Sequence, residues 1–190
     1  MDEARNIRGK NMTQKQRLTP EELIQSIKDM FTTNIQDARI EKRTMGKKKA
    51  DFYHLWIRLD KTIFKDAVRL LYSFDPTLHF AVSSGYDLDD TIELVYSFSL
   101  YHGLRHQEIS VNLTVALLKS DPTIETITDL IPGSLISEQE KQEMLGIIVK
   151  NIPKNTRVFI ADDFPKGVYP WRRDETGPKK LIRNLHKEKI

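Results

Sequence analysis

A chain of 190 residues, 39% hydrophobic and 30% charged, is long enough for one domain with a real core, plus tails. Its 30 Lys and Arg against 27 Asp and Glu leave a formal net charge of only +3, too little to imply a nucleic-acid partner by itself. The lack of Cys excludes a disulfide, a thiolate metal site, a Cys-ligated iron–sulfur cluster and a Cys nucleophile.

Dense mixed charge without Cys is also what a thermophile's surface looks like. The N-terminus, Met1-Asp2-Glu3-Ala4-Arg5, lacks the apolar stretch of a secretory signal, and no apolar run approaches the ~20 residues of a membrane span. Membrane contact is therefore expected only through partners.

Residues 1–17 carry Arg5, Arg8, Lys10, Lys15 and Arg17 and read as a flexible basic tail. A helix start follows, with Thr19 as N-cap, Pro20 at the first helical position and Glu22 closing a capping box. Leu23, Ile24, Ile27, Met30 and Phe31 form its apolar face, with Leu18 stapled onto Leu23. Two strands are expected next, Ile35 to Arg43 and Asp51 to Leu59. In the second, Tyr53, Leu55, Ile57 and Leu59 share one face, and Phe52, His54, Trp56 and Arg58 the other. The link Met45-Gly46-Lys47-Lys48-Lys49 reads as a solvated hairpin turn.

Asp60 is expected to cap a second helix that turns Ile63, Phe64, Ala67, Val68 and Leu71 inward and ends at Asp75-Pro76. Three strands follow, with alternating apolar residues at Leu78, Phe80 and Val82, then Ile92 to Leu100, then Ile109 to Leu117. A turn at Ser84-Gly85-Tyr86-Asp87 is expected between the first two, and Gly103 marks a hairpin between the last two. This order predicts an α+β fold: a largely antiparallel sheet with two helices on one face. Thr123 to Ile131 reads as a short helix stopped by Pro132-Gly133, and Ser137 to Leu145 as another, capped by Ser137. The α+β domain thus spans 18–148. Periodicity then fades, and 149–190 reads as an extended, Pro- and aromatic-rich C-terminal arm, closed by a short basic helix at Leu181, Ile182 and Leu185.

No catalytic constellation emerges. His102 and His106 have helical metal-ligand spacing, but Gly103 interrupts them and no third ligand is evident. Asp87, Asp89 and Asp90 lack the register of a calcium loop and read as a polar turn. Asp162-Asp163 point opposite ways in an extended chain, and phosphate-binding glycine loops are absent. Glu138 and Glu140 suit a helix N-terminus; a small hydrolase built on them is one rival reading. A stand-alone RNA-binding module, stacking bases on Phe52, His54 and Trp56, is another. In the arm, Phe164, Tyr169, Pro170 and Trp171 are anchors of the kind pressed into a partner's surface. For its first half, folding back onto its own sheet is equally open.

The run from Glu138 to Arg172 resembles the C-type, or thirty-kilodalton, subunit of respiratory NADH:quinone oxidoreductase (complex I). The segments in question are Glu138-Gln139-Glu140, Glu143-Met144-Leu145-Gly146-Ile147, an eroded Asn151-Ile152-Pro153 with Arg157, and Asp162-Asp163-Phe164-Pro165, Gly167, Tyr169-Pro170 and Arg172. The last form is most similar to the counterpart in archaeal membrane-bound nickel–iron (NiFe) hydrogenases and the related sulfane-reductase complex. The resemblance implies a non-catalytic scaffold subunit without a cofactor of its own, any iron–sulfur clusters residing in its partners. Those partners would be a large NiFe-hydrogenase-like subunit and a small iron–sulfur subunit, held at the cytoplasmic face of the membrane. It implies partner contacts at Glu138, Glu140, Arg157, Asp162, Asp163, Phe164, Pro165, Gly167, Tyr169, Pro170, Trp171 and Arg172.

Overall fold

A computed structural model describes residues 17–181 except 48, 105 and 106. The basic tail before Arg17, the closing helix beyond Leu181 and His106 lie outside the described residues. The capping box forms as expected: Thr19 Oγ1 accepts from the Glu22 amide, and the Glu22 carboxylate accepts from the Thr19 amide. This starts helix α1 (Pro20–Met30), which buries Leu23, Ile24 and Ile27. Strands β1 (Ile35–Met45) and β2 (Ala50–Leu59) pair antiparallel. Their turn is made by Gly46 at φ +76°, a left-handed conformation that glycine adopts without strain.

Helix α2 (Phe64–Phe74) begins later than Asp60 suggests. The Asp60 carboxylate instead accepts from the amide and hydroxyl of Thr62, closing a local turn before the helix. The helix still buries Phe64, Ala67, Val68 and Leu71. Strands β3 (His79–Asp87), β4 (Thr91–Leu100) and β5 (Ile109–Leu118) complete a five-stranded sheet ordered β1-β2-β5-β4-β3. Only β2 and β5 run parallel; the other neighbours are antiparallel. Leu55, Ile57, Ile92, Leu94, Tyr96, Phe98, Val111, Leu113 and Val115 line the covered face, each at most 1% exposed.

Two expectations fail in β3. The Ser84–Asp87 turn is strand, so the reversal falls at 88–90. Val82 points outward because a bulge lies between Phe80, opposite Phe98, and Val82, opposite Ser97. One extra residue inverts the alternation. Ser83, Gly85 and Asp87 therefore take the helix face, opposite Tyr96, Leu94 and Ile92.

The expected helix over 123–131 is also absent. Thr123, Ile124, Thr126, Ile127 and Thr128 are β-branched and resist helix. Strand β6 (Thr123–Glu125) pairs parallel with β7 (Ile148–Lys150), which straddles the expected boundary between domain and arm. Helix α3 (Leu135–Leu145) starts after Ser134 rather than at Ser137, and ends at Gly146 in the left-handed region. It lies on the same sheet face as α1 and α2, making three helices there rather than two.

Candidate partner-binding site

The inverted phase of β3 creates the seat on which α3 and the arm rest. Ser83 meets Ser137, hydroxyl to hydroxyl at 2.6 Å. Gly85 leaves room for α3: a Cβ there would lie 2.4 Å from the Leu145 methyl and 3.5 Å from the Lys141 stem. Asp87, at the end of the column, anchors the arm.

That anchor is a compact charge cluster. Lys119 Nζ lies 2.7 Å from Asp87 and 2.8 Å from Asp174. The contact with Asp87 is an ion pair. The Arg173 amide donates to Asp87 at 2.6 Å. The Arg172 guanidinium donates from Nε to the Leu145 carbonyl at 2.6 Å, and its Nη1 lies 3.3 Å from Asp174 and 3.7 Å from Asp87. Hydrogen bonds from Lys119 and then Thr176 hold the Asp174 carboxyl well below the usual carboxylate range. Burial works to lower Lys119, but Asp174 and Asp87 outweigh it and raise its pKa.

Further contacts fasten the arm to the end of α3. The Trp171 amide donates to Met144, 2.9 Å. The Tyr169 ring covers Gly146 so closely that a Cβ there would come within 2.5 Å of it. Trp171 lies over the ammonium of Lys141, 5.3 Å from ring centroid to Nζ, and that buried Lys also pairs with Glu140. Upstream, the Glu143 carboxylate accepts the amides of Val158, Phe159 and Ile160, the last at 2.7 Å. Three converging N–H groups on one carboxylate fix an otherwise irregular loop. Arg157 then donates to the carbonyls of Ala161 and Phe164.

The residues expected at a partner surface divide into two groups. Glu138, fully buried, accepts from Thr126 Oγ1 and the Ile127 amide inside the chain. Burial, the dominant influence, raises its pKa against those two hydrogen bonds. Arg172 is likewise buried in the charge cluster. Arg157, Asp162, Asp163, Pro165, Gly167 and Trp171 are exposed, and Glu140, Phe164, Tyr169 and Pro170 half-buried. Val158 and Phe159, which sequence reasoning passed over, are 47% and 49% exposed, and Trp171 is 41% exposed. Their signal was an apolar Val158-Phe159-Ile160 run in an otherwise polar, Pro-rich segment.

Elsewhere the expected turn histidine His102 stacks on His79, ring centroids 4.3 Å apart, and contacts Glu108. No group of three His, Asp or Glu among the described residues is placed to hold a metal ion. Glu138 and Glu140 are not brought together: one faces Thr126, the other Lys141. Asp87 is a buried anchor rather than part of a polar turn.

These features define an α+β layer whose irregular C-terminal segment is fixed to its own sheet and helix while displaying apolar side chains. In three dimensions the chain resembles one in the structure of the membrane-bound sulfane sulfur reductase, an archaeal respiratory membrane complex. The TM-score is 0.65 at 17% identity, over 90% of this chain and 95% of that one. A fragment of Nqo5 gives a TM-score of 0.53 at 18% identity, over 70% and 98% of the two chains. Residues 57–180 match the family of the respiratory-chain NADH dehydrogenase 30 Kd subunit, and the chain belongs to that family. The membrane-bound hydrogenase subunit beta of Pyrococcus furiosus is 29% identical over 131 residues, 68% of this chain and 75% of that protein. The C-type subunit of NADH-quinone oxidoreductase from Acidothermus cellulolyticus is 31% identical over 88 residues, 46% of this chain; the chain thus spans 43% of that relative's length. Among the described residues no helix is long and apolar enough to cross a membrane.

Proposed function

We propose that this chain is a non-catalytic scaffold subunit in the hydrophilic arm of a membrane-bound, complex I-related oxidoreductase of hydrogenase or sulfane-reductase type. It braces a large NiFe-hydrogenase-like subunit and a small iron–sulfur subunit, carries no cofactor itself, and meets the cytoplasmic face of the membrane through its partners. The observation that carries the reading is the pair of exposed loop side chains, Val158 and Phe159, whose backbone is held rigid by Glu143. Trp171, fixed through Met144 one residue along the same helix, adds a third apolar group. Ordering these groups before binding lowers the entropy lost on association. Family membership and the subunit names of the relatives support the choice of assembly.

The test is affinity isolation of the tagged chain from solubilised native membranes, with partners identified by mass. The wild-type chain is expected to bring down hydrogenase-like large and iron–sulfur subunits. Val158→Ser with Phe159→Ser, which removes no intrachain side-chain hydrogen bond, is expected to lose them while keeping its thermal midpoint. A double variant retained at full occupancy would remove this loop from the interface, and a wild-type chain without such partners would refute the assembly itself.

A further inference from the structure

The long edge of the sheet carries a self-complementary charge pattern. Strand β1 is outermost in the order β1-β2-β5-β4-β3 and runs for 11 residues. An edge strand presents a row of N–H and C=O groups that template another strand, and proteins usually blunt it with Pro, bulges or charged side chains, Lys above all. Between Asp37 and Met45 β1 has neither Pro nor a break in register; its bulge lies at its start, between Ile35 and Asp37. On the face away from the helices its charges alternate in sign, so they complement an antiparallel copy of the strand rather than repel it; Lys42 lies on the other face. Asp37, Arg39, Glu41 and Arg43 stand opposite Arg58, Trp56, His54 and Phe52, on the face away from the helices.

We infer that β1 pairs antiparallel with β1 of a second copy of this chain, about a two-fold axis at Ile40. In that register Arg39 faces Glu41 of the other copy and Asp37 faces its Arg43. The two-fold repeats both pairs, so four opposite-charge contacts form and no like charges meet. Opposite charges directly across a ladder stabilise it, and like charges there destabilise it. A half-buried Ile40 meets its own equivalent on the helix face. Lys42, facing Ala38, keeps its ammonium on Asp51 at 2.9 Å. In the single chain Arg43 turns back onto Glu41, 2.6 Å away; pairing exchanges that contact for one across the ladder. Two five-stranded sheets become one continuous sheet. β1 lies outside residues 57–180 matched by the family, and the inference stands apart from the scaffold reading.

The test is sedimentation equilibrium of the full chain against concentration and salt, with circular dichroism to confirm folding. The wild type is expected to dimerise at low ionic strength and to weaken as salt screens the exposed pairs. Arg39→Glu sets two Glu–Glu contacts across the axis and is expected to weaken association about tenfold or more. Arg39→Glu with Glu41→Arg restores opposite signs at every position and is expected to recover it. A wild type monomeric up to its solubility limit would overturn the inference. So would dimerisation unaffected by Arg39→Glu, or failure of the double exchange to recover it. Hydrogen exchange in β1 slowed only within the native assembly would assign the edge to a different chain and overturn the inference equally.

Discussion

Replacing Arg172 with Met should loosen the arm while leaving the sheet intact. Arg172 is 8% exposed and does two things at once: it satisfies the Leu145 carbonyl at the end of α3, and it supplies positive charge to Asp87 and Asp174. Met keeps much of the stem's volume and removes both roles. A buried carbonyl left without a donor costs about 1–3 kcal/mol. Breaking a fully buried ion pair costs about 3–5 kcal/mol, but here Lys119 and the Arg173 amide still serve Asp87, and Asp174 is partly solvated. A net loss of about 3 kcal/mol follows, or roughly a hundredfold in the local opening equilibrium. The assay is native-state hydrogen exchange at the amides of Trp171, bonded to Met144, and Arg173, bonded to Asp87. Both should exchange about a hundredfold faster, with β4 and β5 unchanged. Arg172→Lys should fall between, since it keeps the charge but not the Nε geometry. Unchanged protection at both amides in Arg172→Met would refute the claim that this cluster holds the arm.

Gly146→Ala should lower the urea midpoint sharply. The residue sits at φ +67°, worth about 1–2 kcal/mol against a side chain. Displacing the Tyr169 ring adds about 1–3 kcal/mol. Tyr96→Phe should leave stability unchanged or raise it by about 1 kcal/mol, because the buried Tyr96 hydroxyl has no hydrogen-bond partner among the described residues; a loss beyond that size would reveal a partner. Glu138 has a raised folded pKa, so its favourable contribution is full below the unfolded value, near 4.5, and is lost as pH rises through the folded one. In urea titrations against pH, Glu138→Gln should therefore gain relative to wild type across that rise; a constant difference would refute the shift. Asp174 has the opposite sign, its contribution present above the unfolded value of 3.8 and lost as pH falls toward the depressed folded one. Asp174→Asn should flatten the acid limb of the stability curve.

Residues close together in the chain dictate those parts of the fold that depend on near neighbours. Thr19, Pro20 and Glu22 encode a helix start in four residues. Period-two runs of large apolar residues mark β2, β4 and β5, because the pleat sends every second side chain to the same face. The motif from Glu138 to Arg172 likewise sufficed to indicate the family. Long-range packing was needed to set the phase of β3, since one extra residue at a bulge inverts every side chain after it and leaves no mark in composition. It was also needed to make 123–125 a strand, because the partner that completes the ladder is β7, at residues 148–150. The same holds for the arm. Its residues are legible as aromatic and charged, but whether Arg172 faces a partner or its own domain depends on Asp87, and the Arg173 amide next to it reaches Asp87 across 86 residues of sequence. Contacts at that separation are selected by the packing of whole elements, which no local pattern specifies.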